Sequence, residues 1–500
     1  MPGTWFGLEI AKRGTMAHRK ALDVTGHNIT NANTPGYSRQ EAVLKPTDPW
    51  TIPDLATKML PGQLGTGSSV AEVRRIRDYY LDVQSRQSDS YEGYWEKKLD
   101  MAKRMETVFP EPDGRGLQAV LLNFFNDWQD VNNNPEDPGV KKAVIESGDE
   151  LAAIFRQMHT QLQNVGDGIA VLDPAGPSVT DMTDQYTRVV SGALSYEAEK
   201  VNQILKRIAD LSNSIIRINQ NGAAPNDLLD QRDNLLDQLA QIGNIKTDIS
   251  DNGAISVKLI DVSGTIEVIR MNGGLAEAAK VGVFEYTSSP DKEHFLFVDY
   301  DGTFDIADSK INLTDIAEYK TGIIGSGQGS LLGLESSRLD NLFLLSELND
   351  LARAIKKEVN EASGLDGVTI TGKYFFDDAT TGAADIKLGV IADDINGRYA
   401  IDVARLRSTP VAIGTITTTF ENYYQAIVAQ VGASVHHHDN MLENQQAIGQ
   451  QIESLRQSVS GVSVDEELTR VIQYQYGYQA SARMIGLQDE MLDYLINRIR

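Results

Sequence analysis

Residues Ala21–Gln40 read ALDVTGHNITNANTPGYSRQ, and the character of the chain changes partway along them. Upstream, Gly7, Ile10, Gly14, Ala17, Ala21 and Val24 follow one another in alternating steps of three and four residues. Leu8, Ala11, Leu22 and Ile29 flank that line, and the spacing is that of a helical seam. Downstream, Asn28, Asn31 and Asn33 lead into Thr34-Pro35-Gly36-Tyr37. Proline presets the first central position of a turn there, and glycine permits the positive φ of the second. The helix must stop at this point. Thr34 precedes a proline and is biased out of the helical region, so the chain is expected to leave the turn extended through Ser38, Arg39 and Gln40.

A seam of small residues at one end of a large chain could simply pack on its own domain. The other end argues for more. Val464, Leu468, Val471, Gln475, Tyr478, Ala482, Ile485, Asp489, Leu492, Ile496 and Ile499 repeat the same spacing, interrupted by polar Gln475 and Asp489. At about 1.5 Å per residue the segment makes a helix of roughly 50 Å, too long for one short partner to cover. The seam asks for other chains.

Three stretches carry a resemblance: LDVTGHNITNANTPGYSRQ, the run PNDLLDQRD from Pro225 to Asp233, and the stretch from Val459 through Asp465, Glu466, Glu467 and Leu468 to the end. They are similar to the axial proteins of the bacterial flagellum, whose rod, hook and hook-associated members share an Asn-rich segment after an N-terminal helix. Ser38-Arg39-Gln40 after the turn favours the hook-associated members, which join hook to filament. The resemblance implies a structural assembly protein rather than an enzyme, an adaptor at the hook-filament junction needed for filament assembly. Its implied partners are copies of itself in a helical ring, hook protein below, a second junction protein (hook-associated protein 3) above, and a flagellar export chaperone beforehand. It further implies an extracellular place in the flagellum, reached through the organelle's own type III export apparatus without a cleaved signal peptide. A rod or hook component, or a wall hydrolase carried on a flagellar scaffold, are the alternatives.

Composition sets the outer limits. Five hundred residues allow several domains with ample cores. With 46 Lys and Arg against 70 Asp and Glu, the net charge of −24 argues against a general nucleic-acid binder or a protein of anionic membranes. Cysteine is absent, which removes disulfides, thiol catalysis and cysteine metal sites. No stretch approaches the apolar length of a membrane span, so no membrane insertion is expected. The start, MPGTWFGLEIAKRG, lacks the pattern of an ordinary signal peptide.

In chain order, Lys45–Gly67 reads as a polar connector between units, punctuated by Pro46, Pro49, Pro53 and Pro61. Helical spacing is expected from Val70 to Phe109, then in the strongly amphipathic Leu117–Val131, from Val140 to about Leu172, and from about Val179 to Gln220. Asn226 or Asp227 can cap the next helix, whose stripe of Leu228, Leu229, Leu235, Leu236, Leu239 and Ile242 ends at Gly243. From Ile245 the period changes to alternation, through Ile255, Val257, Leu259, Ile266, Val268, Phe295 and Phe297, with turn signals at Asn252-Gly253, Ser263-Gly264, Asn272-Gly273-Gly274 and Asp301-Gly302. This block reads as a small antiparallel domain with its own core. Helix resumes from Leu331 to about Glu361 and from Thr418 to about Ser458.

The expected fold is mainly α with a β insertion. Residues 1–45 and 459–500 pair as a coiled coil, the inner assembly domain. Residues 46–244 and 320–458 form a discontinuous helical central domain with a β excursion near 364–417, and 245–319 form a β-rich outer domain. Flagellar relatives often carry a larger outer domain near that excursion, for which little room remains here. The self-assembly interface is assigned to Ile10, Ala17, Ala21, Leu22, Val24, Leu468, Tyr478, Ile485, Leu492, Ile496 and Ile499. The domain joint is assigned to Asn28, Asn31, Asn33, Pro35, Gly36 and Tyr37.

The catalytic search yields near misses. Gly325-Ser326-Gly327-Gln328-Gly329-Ser330 lacks the lysine of a phosphate loop and reads as a joint before a helix. Asp299, Asp301 and Asp305 fall short of a calcium loop. The Asp and Arg residues of PNDLLDQRD read as a helix cap with solvated ion pairs. His436-His437-His438 on a helix point in different directions and read as an exposed polar patch rather than a metal site. No catalytic residue, cofactor or metal is assigned.

Overall fold

In a computed structural model that describes residues 5–50, 64–109, 116–176, 179–181, 184–261, 264–287, 292–300, 310–313, 328–365 and 373–497, the first helix, α1 (Phe6–Thr30), lies against the last, α10 (Val464–Asn497). The two run antiparallel, because Gly7 stands against Gln488, Gly14 against Ser481 and Gly477 against His18. A Cβ on any of these three glycines would come within 3 Å of the facing side chain, so their absence of a side chain is what lets the helices approach. Thr34–Tyr37 closes as a turn, with Tyr37 N–H donating to Thr34 O at 3.2 Å and Gly36 at φ +76°.

Beyond the turn, β1 (Gln40–Pro46) pairs antiparallel with β2 (Ser68–Arg75). Here the expectation of helix from Val70 is corrected: helix begins only at α2 (Tyr79–Glu106), capped by the Asp78 carboxylate accepting from Tyr80 N–H. The connector 45–67 starts in the last two residues of β1. It links two strands, and its described ends are tied by Thr47 N–H to Gly67 O and Trp50 N–H to Leu64 O. Pro53 and Pro61 lie outside the described residues.

The central body is built on α2, α3 (Leu117–Asn133), α4 (Pro138–Ile169), α5 (Ala193–Gln220), α6 (Asn226–Ile242), α7 (Ser330–Ala362) and α9 (Phe420–Ser460). The apolar stripe of α3 carries Phe124 and Trp128 into contact with Phe375 and Phe376, and all four are buried. The segment between α7 and α9 is largely irregular, holding short α8 (Ala400–Arg405) and the pair β13 (Val411–Ile413) and β14 (Ile416–Thr418).

Two larger sheets follow. Strands β6 (Ile245–Ile249), β7 (Ile255–Asp261), β8 (Gly264–Asn272) and β9 (Leu275–Ala278) form a meander. The second sheet runs β12 (Lys310–Asn312), β11 (His294–Asp299), β10 (Lys280–Tyr286), β5 (Asp184–Ser191), β3 (Val171–Leu172), with β4 (Val179–Asp181) on β5. The predicted helix start at Val179 is thus displaced to Ala193. Asp184–Ser191 carries β-branched Thr187, Val189 and Val190, and Tyr186 pairs with Tyr286 across the sheet. Gly192 at φ +97° turns the chain into α5 where a Cβ would strike Ile169 O. The second sheet has a small aromatic cluster of its own, Tyr186, Phe284 and Phe297 with Tyr286 and Phe295 against it, but most of the β block is not packed on itself. Ile255, Val257, Val268, Val281 and Val283 share one continuous core with the helices, and Asn202 and Asn213 of α5 hydrogen-bond the backbone of Val281 and Ala276 in both directions.

Candidate assembly interface and its joint

Asn28 sits in the last turns of α1 and is 1 % exposed. Its Nδ2 donates to Gln40 O at 2.8 Å and to Glu467 Oε2 at 3.0 Å, while its Oδ1 accepts from Gln40 N–H at 3.0 Å and Tyr37 O–H at 2.8 Å. One amide thus uses two donors and both lone pairs to tie the first helix, the turn, the first strand and the last helix. Burial, then the charges of Asp227, Asp230 and Glu467, push the Tyr37 phenol well above its ordinary range, which keeps it a donor. Asn31 Nδ2 donates to His27 O and its Oδ1 accepts from Thr34 O–H, closing the turn locally. Asn33 and Pro35 are exposed at its tip, and Gly36 faces Asn234 of α6.

Below the joint lies a buried ionic network. Arg75 reaches Asp230 and Asp233 at 2.8 Å each, Arg77 reaches Asp82 at 2.6 Å and Asp233 at 3.2 Å, Arg86 reaches Asp237 at 2.8 Å, and Arg456 reaches Asp82 at 3.1 Å and Asp237 at 2.8 Å. Burial alone would raise the Asp233 carboxyl, but Arg77, Arg75 and Arg86 together hold it below the usual carboxylate range. This corrects the reading of PNDLLDQRD. Pro225 rather than Asn226 or Asp227 takes the cap position and no side chain caps α6. Asn226 instead donates to Gln40 Oε1 and Val73 O, Asp227 accepts from Gln40 Nε2, and Asp230, Arg232 and Asp233 are buried, not solvated. Beside these pairs, Asp89 is a carboxylate without a nearby bonded cation; burial and then Asp237 push it up to about 7, against the pull of Arg456.

The predicted interface residues divide. Ala17, Ala21 and Val24 are buried, Ala21 and Val24 packing with Ala42, Val70, Val73 and Tyr474; Ile10, Leu22, Ile485 and Leu492 are half-buried. Leu468 and Tyr478 lie off the facing seam and are exposed. Ile496 belongs to α10 but its side chain lies outside the described residues, as does Ile499 entirely. The face that α10 turns to α1 sets Glu467, Gly477, Ser481 and Gln488 beside the aromatic Tyr474. Sequence reasoning favoured apolar positions and passed over these. It also passed over a second stripe: Ile472, Tyr476, Met484, Leu487 and Met491, at intervals of four, eight, three and four, are exposed on one flank of α10.

The remaining candidates carry other geometry. His438 is buried, not part of an exposed patch; its ring and that of His437 each lie 5.7 Å from Trp95, and burial and then Lys98 push His438 down to about 4. Among the described residues no group of three His, Asp or Glu is placed to hold a metal ion. Gly325–Gly327, Asp301 and Asp305 lie outside the described residues. Gly329, at φ +87°, packs on Ile242 O at the end of α6. No described helix is long and apolar enough to cross a membrane.

Residues 102–171 and 177–376 match the family model for the helical domain of the flagellar hook-associated protein FlgK. Residues 8–37 match that for flagella basal body rod proteins, and 454–498 that for the C-terminal part of basal body rod FlgEFG proteins. Flagellar hook-associated protein 1 of Bacillus subtilis is 29 % identical over 535 residues, covering 99 % of each chain. The protein of that name from Salmonella typhimurium is 22 % identical, covering 97 % of this chain and 98 % of its own. The structure of the flagellar hook junction protein FlgK from Burkholderia pseudomallei superposes with a TM-score of 0.55 at 14 % identity, over 76 % of this chain and all of that one.

Proposed function

Because the chain belongs to the family of the flagellar hook-associated protein FlgK, whose helical-domain model matches more than half of it, we propose that it assembles through its terminal helices into a helical ring of copies of itself. Its role is structural, at the hook-filament junction of the bacterial flagellum. In the proposed arrangement hook protein lies below the ring and a second junction protein above it, and an export chaperone escorts the chain before it passes through the flagellar export apparatus without a cleaved signal peptide. The inner assembly domain comprises 1–45 and 459–500.

One observation carries the proposal: α1 and α10 are paired within the chain, yet Ile472, Tyr476, Met484, Leu487 and Met491 remain in water. Apolar area costs about 25 cal/mol per Å² to leave exposed, and a row of such side chains on one helix flank marks a surface built to be covered. Many shallow seams of this kind, repeated around a ring, sum to a stable wall. The ends of the chain also match the family models of basal body rod proteins, which supports a rod or hook component as the second reading; the helical-domain match within 102–376 favours the junction. Electron microscopy of a strain lacking the chain tests this: hooks without filaments, with flagellin released to the medium, are expected. Hooks carrying normal filaments would refute the junction role.

A further inference from the structure

At the first two turns of α1, Trp5, Phe6, Ile10 and Trp50 surround a cleft of about 290 Å³. Trp50 comes from the described end of the β1–β2 connection, and its ring stands edge-on to Phe6 with centroids 5.6 Å apart. The backbone bond from Trp50 N–H to Leu64 O at 2.9 Å and the Thr47 N–H to Gly67 O bond at 3.0 Å hold it there. Arg13 supplies charge at the rim, its Nε donating to Glu9 Oε1 at 3.1 Å and its Nη1 to Thr47 Oγ1 at 3.4 Å and Thr66 O at 3.5 Å. The rest of what the cleft offers a ligand is mainly the aromatic and aliphatic carbon of Trp5, Phe6, Ile10 and Trp50.

Trp5 and Trp50 are 62 % and 59 % exposed, whereas Trp95 and Trp128 are buried. Tryptophan is a large apolar body whose burial dominates contacts between proteins, and two of them bracketing a cleft make an anchor site. A helix about 10 Å across is too wide to enter, but single apolar side chains projecting from a helix fit, as a knob enters a hole.

We propose that this cleft receives apolar side chains from the exposed α10 stripe of a second copy of the chain. Within one chain Met484, Leu487 and Met491 stand in solvent, so the chain does not fill its own cleft with them. A molecule that carries the hole on one element and the knobs on another makes a head-to-tail contact, and such contacts propagate into rings or tubes rather than closing as pairs. The connector after β1 thereby becomes part of the lattice contact, alongside the terminal helices. The proposal rests on the self-assembly reading above.

The test places a benzophenone-bearing phenylalanine at Trp50 of the full chain, in cells lacking the native copy. Hooks are isolated and irradiated. Cross-linked species of twice the chain mass are expected, mapping to residues 472–491 of the second copy. Chains present on hooks whose probe reaches another region, another protein or nothing would overturn the proposal while leaving self-assembly standing; wild-type chain absent from hooks overturns both. Should the probe itself bar incorporation, tryptophan emission decides. Wild-type emission is expected to move to the blue on incorporation, and the W5F/W50F chain to lack that move; an unmoved wild-type spectrum overturns the proposal.

Discussion

At the residue scale, Asn28 shows how much one side chain can fix when every polar atom is used. Replacing it by Ala leaves the Gln40 amide and carbonyl and the Glu467 carboxylate short of partners in a buried place, each worth about 1–3 kcal/mol. Asn28→Asp is expected to be worse, since it keeps the shape, loses the donor and sets a second carboxylate against Glu467. Faster hydrogen exchange across 21–40 in both variants, ranked Asp above Ala, is the expected reading; equal exchange with wild type would remove Asn28 from its central position. Asp89 carries a different prediction. Its folded pKa lies above that of an unfolded aspartate, so its contribution to stability is fully present below about pH 4 and is lost as pH rises through about 7. Melting temperature should fall from pH 5.5 to pH 8, and Asp89→Asn should flatten that slope. Glu347, also pushed up to about 7 by burial and Asp350, retains its own share. An unchanged slope in the variant would show that Asp89 does not titrate in this window. The sequence displayed Asn28 and the turn plainly, because proline and glycine leave few backbone choices. It could not display the ion pairs of Asp230 and Asp233, whose arginines lie some 150 positions away.

At the scale of elements, α10 is a helix with two unlike faces. Toward α1 it mixes small and hydrogen-bonding residues with Tyr474, and on its flank it is apolar and uncovered. Periodicity found the helix and its length but did not separate the residues that face α1 from those left exposed. A heptad count weights apolar residues, whereas close helix approach is governed by glycine and serine, which carry no hydrophobic signal. Leu487→Asp with Met491→Asp should therefore leave the isolated fold unchanged, since those side chains are 54 % and 52 % exposed, and abolish incorporation by placing unpaired charges in a buried lattice seam. Ile485→Asp with Leu492→Asp, half-buried beside α1, should weaken the pair within the chain as well. Equal circular dichroism melts for both double variants, or filaments growing normally on hooks of the first, would contradict this division. The strands Asp184–Ser191 and Ser68–Arg75 were illegible for a related reason: the identity of each is decided by a partner distant in sequence, β10 for one and β1 for the other.

At the scale of the molecule, the alternation after Ile245 correctly indicated strands and said nothing of what they would lie against. Because their inner faces complete the helical core, excising residues 245–328 with a short linker is expected to strip the strands from α5, leaving Asn202 and Asn213 without their backbone partners, and to unfold the central body. A cooperative melt retained in that variant would show the helices self-sufficient. Limited proteolysis should cut first in the outer turns of α1 and α10 and spare the body from α2 to α9, where the shared core makes local opening costly. Uniform resistance to both ends would mean that the inner pair is as firm as the body.

The bond between Asn28 and Glu467 joins residues 439 positions apart. Whichever end of the chain is made or delivered first must wait for the other, since no shorter loop can close the inner pair. Its formation therefore reports completion. A chain cut short before Val464 lacks α10 and leaves Asn28, Arg39, Gly7 and Gly14 without the groups they face on it, Glu467, Glu466, Gln488 and Ser481. Such a fragment could fold its body and still fail to present a finished inner pair. The architecture thus sorts whole chains from partial ones by timing alone, before any neighbour is met.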